Sequence, residues 1–76
     1  MLFDEIREII ADQLEINADG IEPESKLGDD LGADNLAIID IVMSLEDQYS
    51  VEIPDEALEE INTVEDFVHY IESKLD

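Results

Sequence analysis

The spacing of apolar positions along the chain predicts a protein built from helices. Apolar residues recur every three or four positions over 2–15, 35–49, 54–61 and 64–75, which is the period of an amphipathic α-helix. The connection over 16–33 is long for a compact domain, so we expect buried apolar residues or a helical turn to hold it. The expected anchors are Ile16, Ile21, Leu27 and Leu31. The pattern therefore predicts an all-α fold, a small four-helix bundle with three longer helices, one short third helix and a long loop between helices 1 and 2.

The apolar residues of the second predicted helix cover too much of its circumference to form one buried stripe. At about 100° per residue they fan over roughly 220°, and Glu46 lies inside that fan. We expect a core-facing part made of Ile38, Ile41, Val42, Leu45 and Tyr49. The second part is a partly exposed strip of Leu36, Ile39 and Met43, beside Asp40, Glu46 and Asp47. Such a strip is typical of a protein-docking face, although a helix buried on two sides would show the same pattern.

Polar residues mark where three of the helices begin. Asp34 and Asn35 form the start of the second helix, and Asn35 is expected to cap it because its side-chain oxygen can accept from an unpaired backbone amide. Pro54 is expected at the first position of the third helix. Thr63 is expected to cap the last helix, with Asp66 three residues further on in a capping-box position.

Composition changes this picture mainly through charge. The 76 residues suit a single domain over 1–76, near the lower limit for a core without staples. Twenty-three acidic and three basic residues give a net charge of −20. This charge repels nucleic acids and anionic membranes, attracts proteins with basic patches, and opposes compaction by self-repulsion. There is no cysteine, no apolar run of membrane-spanning length and no signal-peptide pattern, so we expect a cytoplasmic protein without a membrane span.

The residue types that carry enzyme chemistry do not form a recognisable site. His69 is the only histidine and points away from the apolar stripe of its predicted helix. The acidic clusters lack the ligand spacing of a calcium-binding loop, the three glycines form no phosphate loop, and no serine lies in a nucleophile elbow. We therefore predict no enzyme activity and no specific metal site.

One stretch resembles a known motif. Residues 30–36 read D-L-G-A-D-N-L and resemble the attachment motif D-L-G-A-D-S-L of acyl carrier proteins at every position but one. The similarity continues in I-V-M-S-L-E-D at 41–47, E-I-P-D-E at 52–56 and T-V-E-D-F at 63–67. The motif context and the acidity are similar to the dissociated fatty-acid-synthesis type. The resemblance implies a carrier, in which 4'-phosphopantetheine on a serine holds growing acyl chains as thioesters in fatty acid biosynthesis.

Asn35 stands where the resemblance places that serine. An amide has no hydroxyl to accept the phosphodiester, so 4'-phosphopantetheine should not be attachable at this position. Two explanations remain open. Asn35 can be an engineered block that keeps the protein in its apo form, which the otherwise intact motif favours. Alternatively, the chain is a natural arm-less paralogue that acts as an acidic protein-interaction module.

The resemblance also implies partners and two groups of site residues. The partners are a holo-synthase and fatty-acid-synthesis enzymes with basic docking patches, and the carrier is expected to be a monomer. The implied docking residues are Asp34, Leu36, Ile39, Asp40, Met43, Glu46 and Asp47. The implied acyl cavity is lined by Leu27, Ile38, Val42, Leu45, Ile53, Leu58, Ile61 and Ile71, which could equally be plain core. Ala37 replaces an acid found in many members, which weakens the expected docking to the holo-synthase.

Overall fold

Apolar stripes on three long helices meet to form the centre of the protein. The computed structural model describes residues 2–75. Its helices are α1 (Leu2–Leu14), α2 (Asn35–Tyr49), α3 (Asp55–Leu58) and α4 (Val64–Leu75). A short 3-10 turn at Ala18–Gly20 supplies the helical turn expected in the long connection. The predicted all-α architecture is confirmed, and none of the helices in residues 2–75 has the length and apolarity that a bilayer crossing requires.

The core is built where α1 packs against α2 and α4. The fully buried side chains that these helices contribute are Ile6 and Ile10 from α1, Ile41 and Leu45 from α2, and Val64, Phe67 and Ile71 from α4. Burying each of the larger aliphatic or aromatic side chains contributes about 1.5–3 kcal/mol to folding. Ile38 and Tyr49 pack at the edge of this core and are only partly buried. The core-facing side of α2 is therefore the one that the sequence predicted.

The connection between α1 and α2 is anchored at some of the predicted positions. Ile21 and Leu27 are buried, and Leu31 packs partly buried against the core. The prediction for Ile16 was wrong, because this residue is 38% exposed. The reason is that Glu15 ends α1 in the left-handed conformation at φ 57°, so Ile16 lies beyond the turn and off the apolar stripe.

Backbone hydrogen bonds tie this connection to the start of α4. Three backbone N–H groups donate to carbonyl oxygens between the two segments: Leu27 to Asn62 at 3.0 Å, Val64 to Ser25 at 3.1 Å, and Glu65 to Pro23 at 2.8 Å. An isolated antiparallel bridge between Lys26 and Thr63 lies among them, and residues 2–75 contain no β-strand. The stretch before α2 is therefore held in a fixed place relative to α4.

The third helix is shorter than the sequence predicted. It spans Asp55–Leu58 instead of 54–61, and Pro54 precedes it in an extended conformation instead of occupying its first position. After Leu58 the chain tightens, since the Ile61 N–H donates to the Leu58 carbonyl at 3.1 Å. This tight turn brings Ile61 back into the core.

The fourth helix begins with the predicted reciprocal cap. The Asp66 N–H donates to Thr63 Oγ1 at 3.2 Å, and the Thr63 N–H donates to Asp66 Oδ2 at 3.1 Å. The Asn62 N–H also donates to Asp66 Oδ2, at 2.9 Å. The Asn62 bond is the main reason why the pKa of Asp66 is lowered, with Thr63 and the charge of His69 adding to it and burial opposing it.

Candidate functional site

A compact turn presents the motif stretch at the start of α2. Gly32 takes φ 72° and its N–H donates to the Gly28 carbonyl at 3.2 Å. Asp30 closes the turn, because its Oδ2 accepts from the Lys26 N–H at 2.8 Å. No atom lies within 4 Å of where a Cβ on Gly32 would stand, so this glycine is required by its left-handed backbone and not by lack of space. The turn ends at Ala33, which is buried beneath the helix start.

Asp34, and not Asn35, caps α2. Asp34 has the extended backbone of a cap residue, and its Oδ1 accepts from the Ala37 N–H at 2.8 Å. Asn35 is the first helical residue. Its side chain is exposed and makes no hydrogen bond to another residue in the described part of the chain. The prediction that Asn35 serves as the cap was wrong, because the helix begins at residue 35 itself, one position earlier than that role requires.

The predicted strip on α2 is exposed. Leu36, Ile39 and Met43 are 73%, 48% and 60% exposed. Asp40 and Asp47 are exposed beside them, whereas Glu46 is half-buried. We call these six residues the α2 strip. The strip is partly exposed, as predicted, and its role in binding partners stays a prediction.

Two surface grooves meet at Ile38 and Ile61. The first, of about 420 Å³, lies between α2 and α3 and is called the α2–α3 groove. It is lined by Asn35, Ile38, Ile39, Asp55, Leu58, Glu59 and Ile61. The second, of about 440 Å³, is lined by Lys26, Leu27, Gly28, Asp29, Ile38, Ile61 and Asn62. Both volumes are in the range of small-molecule sites.

The grooves involve half of the residues predicted to line an acyl cavity. Leu27, Ile38, Leu58 and Ile61 line one groove or both. The other four predicted residues, Val42, Leu45, Ile53 and Ile71, are buried in the core and line neither groove. Binding of an acyl chain stays a prediction for the whole set.

The sequence comparison decides the family. The family model described as a phosphopantetheine attachment site matches residues 4–71. The acyl carrier protein of Wolinella succinogenes is 47% identical over 72 residues, which covers 95% of each chain. That of Clostridium acetobutylicum is 47% identical over 73 residues, covering 96% of this chain and 95% of its own. That of Campylobacter jejuni subsp. doylei is 44% identical over 71 residues, covering 93% and 92%. The chain belongs to the acyl carrier protein family.

The prosthetic group of the acyl carrier family does not fit the residues of this site. Attachment of 4'-phosphopantetheine forms a phosphodiester on a hydroxyl oxygen, and Asn35 offers only a carboxamide whose nitrogen is delocalised. Ser44 is no replacement. It is half-buried and lies nine residues further along α2, where its Oγ accepts from Gln13 Nε2 at 2.9 Å in the contact with α1. Neither Asn35 nor Ser44 therefore offers a free hydroxyl for such a bond.

Sequence reasoning missed two acids that rim the α2–α3 groove. Asp55 and Glu59 line it together with Asn35, so the groove mouth carries negative charge beside residue 35. Their spacing of four residues on a predicted helix was the available signal, since i and i+4 residues share one face.

Tyr49 and His69 each contact an acidic side chain away from this site. The Tyr49 hydroxyl donates to Glu5 Oε1 at 3.2 Å. Burial, followed by the charge and hydrogen bond of Glu5, raises the pKa of Tyr49 to about 12. His69 is exposed, as predicted, with Nε2 3.5 Å from Glu65 Oε1. Within residues 2–75, no three histidine or acidic side chains are arranged to hold a metal ion.

Proposed function

We propose that this chain is an acyl carrier protein of fatty acid synthesis whose attachment position is blocked by Asn35. The observation that carries the proposal is the intact turn around an exposed residue 35 in a member of this family. In relatives with a serine, the attached 4'-phosphopantetheine supplies a thiol that holds the acyl group. The protein contributes presentation and recognition and no catalysis, so it is not an enzyme. The proposal includes a monomeric cytoplasmic protein, in keeping with its strong self-repelling charge.

The proposed partners are a holo-synthase and fatty-acid-synthesis enzymes that carry basic patches. The α2 strip supports this because its exposed apolar side chains can enter a partner's surface while the neighbouring carboxylates meet cations. Asp34 lies at the N-terminal end of α2 and adds a carboxylate close to residue 35. A net charge of −20 accelerates encounters with basic surfaces at low salt.

The proposed place for an acyl chain is the α2–α3 groove. Its apolar lining includes Ile38, Leu58 and Ile61, and it opens beside residue 35, from which the arm would reach it in a serine-bearing carrier. Ile38 and Ile61 also line the second groove, so a small movement of these side chains could join the two spaces.

Two origins of Asn35 fit this proposal. In an engineered apo form, asparagine removes the chemistry and leaves the cap of α2 on Asp34. In a natural arm-less paralogue, the chain acts as an acidic protein-interaction module, and the exposure of Leu36 and Met43 supports that alternative. The intact attachment turn favours the first origin.

Intact-mass spectrometry tests the carrier proposal. The chain and its Asn35→Ser variant are incubated with coenzyme A and a phosphopantetheinyl transferase. Only the serine variant should gain the arm, roughly 340 Da. A second variant, Asn35→Ser with Ser44→Ala, should gain the same mass, which assigns the modification to residue 35. A serine variant without the gain would overturn the carrier proposal, and a gain by the asparagine form would show that Asn35 is not a block.

Binding to the same transferase tests the α2 strip. Met43→Ser should weaken binding of the Asn35 form about tenfold, because an exposed apolar anchor is lost from the interface. The matched control is Leu75→Ser on α4, where an apolar side chain that is 50% exposed lies outside the strip. If the two substitutions weakened binding equally, the α2 strip would not be part of the interface.

A further inference from the structure

Glu46 holds the connection between α2 and α3 through both its side chain and its backbone. Its Oε2 accepts from the Ile53 N–H at 2.8 Å. Its backbone carbonyl accepts from the Ser50 N–H, and from the Val51 N–H at 3.3 Å. A single residue in the last turns of α2 therefore receives three of the amide groups of the connecting segment.

The third helix has few other means of staying in place. It is one turn long and has no side-chain cap, and its contact with the core is limited to Ala57 and Leu58, which are only partly buried. A helix of this length is not stable by itself, because the cost of nucleation exceeds the gain from its few hydrogen bonds. Its position depends on the segments at its two ends, where Ile53 and Ile61 are buried. On the Ile53 side, the other side-chain bond is a longer one, from the Tyr70 hydroxyl to the Glu52 carbonyl at 3.3 Å.

We propose that Glu46 is a positioning residue that keeps α3 closed against α2, so that loss of its bond to the Ile53 amide opens the α2–α3 groove. The bond has an ionised acceptor and is stronger than a neutral one. Asn35 and Ile38 form the α2 wall of the groove, and Leu58 and Glu59 form the α3 wall. Releasing Ile53 frees the α3 wall while α1 stays packed on α2 and α4. The inference rests on the proposed function only for what enters the groove.

Native-state amide hydrogen exchange, measured residue by residue by NMR, tests this role. In Glu46→Ala, exchange should accelerate about tenfold or more at the Ile53 amide and at the amides of 58–61, since a charge-assisted bond to a buried segment is lost. The amides of Ile10 and Phe67, in the central core, should keep their rates. Glu46→Gln retains an uncharged acceptor and should recover most of the protection. Asp47→Ala removes a charge one residue away and should leave the α3 amides unchanged.

Each alternative outcome contradicts the proposal in a different way. Acceleration at Ile53 alone would show that α3 is held by other contacts. Equal effects of Glu46→Ala and Asp47→Ala would assign the change to net charge. If the exchange rate of the Phe67 amide rose as much as the rates at 58–61, the substitution would destabilise the whole fold and Glu46 would have no positioning role. If Glu46→Ala does not fold, Glu46→Gln is compared with Asp47→Asn, and the proposal requires that the small remaining acceleration at 58–61 occurs in Glu46→Gln only.

Discussion

Removing the Asp34 side chain should destabilise α2, whereas removing that of Asn35 should not. In Asp34→Ala the Ala37 N–H loses its acceptor at 2.8 Å, and loss of a helix cap typically costs about 1 kcal/mol. The substitution also removes one negative charge from a chain of net charge −20, which reduces self-repulsion and offsets part of the cost. Asp34→Asn separates the two effects, since asparagine keeps the acceptor and loses the charge.

The expected order of stability follows from these contacts. Asp34→Ala should unfold about 1 kcal/mol more easily than Asp34→Asn, which corresponds to a melting temperature lower by about 6 °C for a chain of this size. Asn35→Ala and Asn35→Ser should each stay within about 0.5 kcal/mol of the starting protein, because the side chain is exposed and unbonded. Urea unfolding followed by circular dichroism at one fixed salt concentration measures all four variants.

Two results would contradict the reasoning. A cost for Asn35→Ala as large as that for Asp34→Ala would mean that Asn35 caps the helix in solution. Equal stabilities of Asp34→Ala and Asp34→Asn would mean that the bond to Ala37 contributes nothing. Either result would also weaken the argument that the attachment position can be changed without affecting the fold.

Four further predictions follow from charge and backbone geometry. Because the pKa of Asp66 is lowered in the folded protein, its carboxylate stabilises the fold above the ordinary pKa of 3.8, and this stabilisation is lost as the pH falls through the folded pKa. The urea midpoint should show this loss in the starting protein and not in Asp66→Asn. The pKa of Tyr49 is raised to about 12 in the folded protein. The contribution of Tyr49 to folding stability is therefore fully present below its ordinary pKa of 10.0 and is lost as the pH rises towards 12. Ultraviolet titration should show that Glu5→Gln lowers this pKa without restoring the ordinary value, since burial is the largest cause, and an unchanged pKa would exclude a contribution from Glu5. Ser50→Gly should stabilise the protein by about 1 kcal/mol by relieving a left-handed residue at φ 54°, whereas Ser44→Gly inside α2 should destabilise it; a loss in both would show that Ser50 is unstrained. Sodium chloride should raise the melting temperature by screening the net charge of −20, and a constant melting temperature would refute the repulsion argument.

The long helices were predictable because the buried face of a helix leaves a direct trace in the sequence. The period of three and four residues placed α1, α2 and α4 within one residue of their observed ends. The end of a helix leaves a weaker trace. Asp34 and Asn35 are equally good caps by residue type, and only the extended backbone at Asp34, with its oxygen at the Ala37 amide, distinguishes them.

The site was predictable to the extent that it lies on one helix. The position of Glu46 within the apolar fan predicted two parts of α2, and the exposure of Leu36 and Met43 confirms that division. The bond from Glu46 to Ile53 was not predictable in the same way. It depends on the path of the chain after Ser50 turns into the left-handed conformation, which no periodic pattern records. The early end of α3 has the same origin, because a one-turn helix is defined by its contacts and hardly by its propensity.

The start of α2 divides two tasks between neighbouring residues. The Asp34 side chain accepts the hydrogen bond that caps α2, whereas the side chain of residue 35 is exposed to solvent and makes no such bond. Residue 35 can therefore be exchanged at almost no cost in stability, because the capping bond is made by the neighbouring side chain. The same reasoning applies when Asn35 is replaced by serine. Introducing a serine at position 35 should need no compensating substitution, since the turn at 28–33 and the cap on Asp34 already place that side chain at the surface beside the α2 strip.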